Sequence, residues 1–136
     1  MTAKINKIKS EDKEKYKIYL DRSKQLFEES MVASKAQRWA AVGLNAVHSA
    51  LSMNDALTVY YLQRKSIADD HRISSELLSE IQEDDVNDQV SNYKRIIAKK
   101  YAVSYEDREF REKEAQEVLK QTERFFHWGL RKLTEK

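Results

Sequence analysis

Residues 39–62 read WAAVGLNAVHSALSMNDALTVYYL, the most apolar stretch of a 136-residue chain. Leu44, Val47, Leu51 and Thr58 recur at helical spacing and fall on one line of an α-helix. Gly43, Ala46, Ala50 and Leu57 form an adjacent line of mostly small side chains. Small side chains let a neighbouring helix come close, which accounts for Gly43 without a hinge. So wide an apolar arc predicts a helix at the centre of a bundle or at a contact between subunits.

The rest of the chain agrees with a helical reading. It has no proline, and glycine only at Gly43 and Gly129. Strands joined by tight turns usually need more of both. Alanine, glutamate, lysine and leucine are frequent, and all are good helix formers. The predicted architecture is all-α: a single up-and-down bundle of about five helices, three long and two short. The first helix is placed over Glu11 to Val32, capped by Ser10, with Tyr16, Leu20, Ser23, Phe27 and Met31 facing inward. The second starts near Ser34 or Lys35 and ends at Leu62. The third starts at Asp69 or Asp70, where carboxylates suit the helix dipole, and ends at Ile81. The fourth covers Val86 to Tyr101, with Val90, Tyr93, Ile97 and Tyr101 inward and Ile96 nearby. The fifth covers Asp107 to Leu133. Residues 1–10 are read as a flexible basic tail, and 11–133 as one domain.

Composition excludes several classes. With 40% apolar and 35% charged residues, the chain suits neither a disordered nor a membrane-spanning protein. No apolar run approaches 18 residues, so no membrane contact is expected. The opening MTAKINKIKSEDKEKYK has no apolar stretch after its lysines and does not read as a signal peptide. Cysteine is absent, which removes disulfides and thiolate metal sites, and the cytoplasm is the expected location. His48, His71 and His127 match no zinc spacing, so neither metal nor cofactor is expected. A net charge of +2 argues against nonspecific coating of nucleic acid. The charge is nevertheless uneven: QEDDVNDQ at 82–89 is acidic and YKRIIAKK at 93–100 is basic.

Two groups of residues are candidates for function. On the central helix, Asn45, His48, Ser52 and Asp55 are spaced three, four and three apart, along one side. Short polar groups there suit a helix–helix contact or the wall of a cleft better than a solvated face. The second group lies in RKSIADDHR, residues 64–72. Arg64 and His71 flank a short connection that can bring both to one cleft. A histidine can take and return a proton, and an arginine can hold a phosphate. Without metal, that pair suits ribonuclease chemistry, in which the RNA 2′-hydroxyl attacks the adjacent phosphate. A second proton carrier would be needed, which a dimer could supply. The alternative for the same residues is structural: Arg64 as a charge near a helix end and His71 as a packing residue. Lys65, Arg72, Lys94 and Arg95 are candidate phosphate contacts beside this pair.

Four stretches together resemble the HEPN superfamily of small helical domains, over roughly residues 13–133. They are the 39–62 helix, RKSIADDHRISSELL at 64–78, NYKRIIAKKYAVSYEDREF at 92–110, and AQEVLKQTERFFHWGLRKL at 115–133. Many members carry an Arg-x(4–6)-His signature linked to metal-independent RNA cleavage, and Arg64 and His71 match it. Asp70 fits a polar position common beside the histidine. The placement of the motif in mid-chain, and Lys65 after the arginine, look more like a stand-alone, poorly characterised branch. The resemblance implies a homodimer with a shared groove. It also implies RNA or a nucleotide as ligand and, in toxin–antitoxin or defence settings, a nucleotidyltransferase-like partner. Three functions therefore stand open: a metal-independent endoribonuclease, a noncatalytic nucleotide-, RNA- or protein-binding domain, and a structural dimerisation bundle.

Overall fold

The computed structural model describes residues 7–67 and 71–134. A short strand β1 (Ile8–Ser10) and a 3-10 turn (Lys13–Lys15) lead into α1 (Tyr16–Lys35). Then follow α2 (Trp39–Leu62), strand β2 (Arg64–Ser66), α3 (His71–Ser79), α4 (Val86–Tyr105) and α5 (Glu112–Thr134). The result is an all-α bundle of five helices with a two-stranded antiparallel ribbon at one end. Four helices are long and one is short, because α4 continues to Tyr105: no glycine or proline interrupts Ala102–Tyr105.

Paired contacts give the directions. Ser23 meets Ser49 and Ser30 meets Val42, so α1 runs antiparallel to α2. Thr122 meets Ala46 and Tyr61 meets Lys132, so α5 runs parallel to α2. Asn92 meets Gln121 and Lys99 meets Glu114, so α4 runs antiparallel to α5. The long helices therefore alternate in direction, and α2 packs against all four other helices.

The central placement predicted for 39–62 is what the structure shows. Val42, Ala46, Val47, Ala50, Met53, Ala56, Leu57 and Val59 are all buried. Its small residues serve close approach: a β-carbon on Gly43 would stand 2.5 Å from the Phe110 ring and 2.8 Å from Val103. On the α1 side, the Ser23 hydroxyl donates to the Ser49 carbonyl (2.8 Å) and the Ser49 hydroxyl returns a bond to the Ser23 carbonyl (2.9 Å). The Ser30 hydroxyl donates to the Val42 carbonyl at 2.8 Å. These bonds set the rotation of α1, so Ser30 and Ala33 are buried and Met31, placed inward by periodicity, is exposed. Tyr101 is a second such departure: it is 65% exposed, and Ile96 takes the inward position on α4.

Element ends depart from the sequence reading for local reasons. Ser10 caps nothing. It lies in β1, opposite Arg64, and the Asp12 carboxylate accepts from the Glu14 amide instead (3.2 Å). Ile8–Ser10, read as part of a flexible basic tail, pairs with Ser66–Arg64 because that edge offers a partner; residues 1–6 of that tail lie outside the described residues. With glycine scarce, Gln37 and Gln63 adopt the left-handed conformation after α1 and α2, with φ of 58° and 55°. An L-residue there costs on the order of 1 kcal/mol.

Two substitutions check this packing by urea denaturation. Gly43→Ala should destabilise by roughly 1–3 kcal/mol, since the Phe110 ring and Val103 must both move. Gln63→Gly should stabilise by about 0.5–1 kcal/mol by relieving the left-handed turn.

Candidate functional site

β2 follows α2 after a single left-handed residue, Gln63, and a strand sends successive side chains to opposite sides. Arg64 and Lys65 consequently go to different places. Arg64 is ion-paired with Glu80 beyond α3, and borders a surface concavity with Ser10, Glu11, Lys13 and Gln63. Lys65 turns toward α2, with Nζ 3.5 Å from Asp55 Oδ2 and 5.4 Å from the Tyr19 ring centre.

Asp55 and Lys65 face a polar cavity of about 150 Å³, bordered also by Leu51, Ser66, Ile67, His71, Ser74 and Tyr93. A volume of this size takes a few waters or a single small ring. His71 opens α3, and its carbonyl accepts from the Ser74 and Ser75 hydroxyls at 3.0 and 2.8 Å. The Ser74 hydroxyl also bonds the Tyr93 hydroxyl at 3.0 Å, and the Asn54 amide donates to the Ser74 carbonyl at 3.3 Å. These bonds fix α3 against α2 and α4. Burial pushes the Asp55 carboxyl up to about 6, and Lys65 only partly opposes the shift. Burial likewise pushes the Tyr93 hydroxyl far above its ordinary value. Behind Lys65, burial and the bond to Glu11 push Tyr19 up to about 12; that bond measures 2.7 Å.

His71 also borders a second, wider groove of about 390 Å³, with Ile97, Ala98, Lys100, Tyr101 and Tyr105. Tyr101 and Tyr105 sit one turn apart with ring centres 5.6 Å apart, 65% and 70% exposed. The cavity and the groove meet at His71.

The site residues expected from sequence divide accordingly. His71, Asp55 and Lys65 come together at one cavity. Arg64 is not among its bordering residues. Asp70 lies outside the described residues. Asn45 donates to the Ala41 carbonyl of its own helix (2.9 Å), His48 is exposed and Ser52 is buried; none borders the cavity. The stripe reaches the cavity only at Asp55, because His48 lies about 10 Å further back along the helix axis. Arg72 and Lys94 are exposed, and Arg95 borders a separate concavity toward α5. Ser66, Ser74 and the Tyr93 hydroxyl were not anticipated. The only signal was the Ser74–Ser75 pair, unusual in so short a helix. Among the described residues, no group of three or more histidine and acidic side chains is placed to hold a metal ion. Nor is any helix among them long and apolar enough to cross a membrane.

Comparison of the chain with family profiles, with curated proteins and with solved structures returns no match.

Asp55 gives a pH test. Its folded value of about 6 exceeds the ordinary 3.8, so the folded state holds this proton more tightly than the unfolded state. That contribution is full below about pH 4 and is lost as pH rises through 6. Asp55→Asn removes it. The stability of the variant minus that of the wild type should rise by roughly 2–3 kcal/mol between pH 4 and 7. Urea melts at four pH values measure the difference, and a flat curve would show that the carboxylate is not desolvated.

Proposed function

We propose that this chain is a noncatalytic helical binding protein for nucleotides or single-stranded RNA, with the ligand lying in the groove beside His71. The observation that carries this reading is the meeting of two unlike surfaces at one residue. On one side of His71 stands an exposed tyrosine pair with Lys100; on the other stands a polar cavity with Asp55, Lys65, Ser66 and Ser74. Aromatic faces take bases by stacking, at about 1–3 kcal/mol per base. The cavity is too small for a nucleotide, but it presents the donors and acceptors that read a base edge or a hydroxyl. Tyr101 and Tyr105 present two aromatic faces to solvent one turn apart.

The test is fluorescence anisotropy with labelled mononucleotides and short RNA. Tyr101→Ala combined with Tyr105→Ala should weaken binding at least tenfold while leaving the melting temperature unchanged, since both rings are exposed. Absence of binding at millimolar ligand, or full retention in the double variant, would remove the proposal.

One observation favours cleavage as a second reading. Asp55, held up to about 6, and His71 border the same cavity, with Lys65 between the strand and the helix. Two protonatable groups at one site can divide the roles of base and acid, and Lys65 would stand in for the arginine of the sequence motif. In that case RNA, but not DNA, is cut in excess chelator to give 2′,3′-cyclic phosphate ends. His71→Ala and Asp55→Asn should each slow the reaction by a factor of 100 or more. Cleavage that persists in His71→Ala excludes the catalytic reading and leaves the binding one standing.

A further inference from the structure

The seam between α4 and α5 carries a second polar concavity, of about 330 Å³, on another face of α4 from the tyrosine pair. It is bordered by Asp88, Gln89, Ser91, Asn92, Arg95 and Arg124. Several other basic side chains are matched by a carboxylate: Arg64 by Glu80, Lys65 by Asp55, Arg108 by Glu114 and Lys132 by Glu83. Arg95 and Arg124 have no hydrogen-bond or ion-pair partner among the described residues. Two unmatched guanidinium groups from adjacent helices therefore border one space.

Two acceptors buried in the same seam are also unmatched. Asn92 is only 5% exposed. Its amide nitrogen donates to the Gln121 carbonyl at 2.9 Å and to Gln89 Oε1 at 3.4 Å, which fixes the orientation of the amide. Asn92 Oδ1 and Gln121 Oε1, both shielded from solvent, accept no hydrogen bond. The concavity itself combines two cationic donors with one acceptor, the Asp88 carboxylate.

A fully ionised anion would suit the arginines and be repelled by Asp88. An anion that still carries a proton suits both, because its oxygens accept from the guanidinium groups while its O–H donates to the Asp88 carboxylate. We propose that this seam binds a protonated phosphate, either inorganic hydrogen phosphate or the terminal group of a phosphate monoester. A monoester has its second pKa near 6, so the singly protonated form is well populated in mildly acidic to neutral solution. Arg95 and Arg124 hold the oxygens, and Asp88 selects for the proton. Sulfate, which has no proton to give at that pH, is the discriminating control. The site is independent of the tyrosine groove.

The experiment is an amide-resolved NMR titration of the whole chain at pH 6 and constant ionic strength. The probes are inorganic phosphate, glycerol 3-phosphate and sulfate. Phosphate should shift residues 88–95 and 121–124 and bind at least ten times more tightly than sulfate. Asp88→Asn should abolish that preference, with sulfate binding improved. Arg95→Ala with Arg124→Ala should lose both anions while the nucleotide affinity of the tyrosine groove stays within twofold. Tighter binding of glycerol 3-phosphate than of phosphate identifies the ester as the occupant, and the reverse identifies the free ion. Equal affinities for phosphate and sulfate in the wild type, shifts that scatter over surface lysines, or binding that survives the double arginine change would each overturn the proposal.

Discussion

Burial of α2 over most of its circumference is the constraint on which the rest of the structure depends. A helix of 24 residues that packs on all four of its neighbours leaves little room for side chains on most of its circumference. Its glycine, alanines and serines meet that demand, and the reciprocal Ser23–Ser49 bonds satisfy polar groups that burial would otherwise strand. At Asp55, among buried neighbours, the helix carries its one carboxylate. The charge there is expensive, and the chain supplies Lys65 from β2 to offset it.

That compensation shapes the candidate site. Lys65 reaches Asp55 because β2 is extended, and the same alternation sends Arg64 to Glu80. The ribbon partner β1 places Lys9 directly opposite Lys65, a like-charge pairing that would loosen the strands. Each lysine has its own acid, Glu11 for Lys9 and Asp55 for Lys65. The cavity wall, the ribbon and the central helix are thus tied by one set of charges. A change at Asp55 would be felt at all three.

Much of the bundle was legible from periodicity. The central position of residues 39–62, the absence of breakers, and the inward Val90, Tyr93 and Ile97 of α4 follow from apolar spacing. Several features escaped it, Tyr101 and the β1–β2 ribbon most clearly. Tyr101 continues the stripe of Val90, Tyr93 and Ile97, yet α5 and α2 cover only part of that stripe, so the ring stands in solvent beside Tyr105. Ile8–Ser10 carry no strong strand signal, and their ribbon exists because the exposed edge of β2 offers backbone partners. Neither the end of a packed neighbour nor a partner edge more than fifty residues away is encoded in local spacing.

The candidate site divides along the same line. Residue type and spacing singled out Asp55 on the polar stripe of the central helix, His71 as the partner of Arg64, and Lys65 as a phosphate contact beside them. Their grouping, and the departure of Arg64 from it, came from the left-handed Gln63 and the strand that follows, which rotate neighbouring side chains to opposite sides. The Tyr93 hydroxyl and Ser74 entered the cavity wall through the docking of α3 on α4. Local sequence determines which elements form and which faces are apolar, because those depend on neighbours three and four residues away. Which charged groups share a cavity depends on how separate elements rotate against one another, and only tertiary packing decides that.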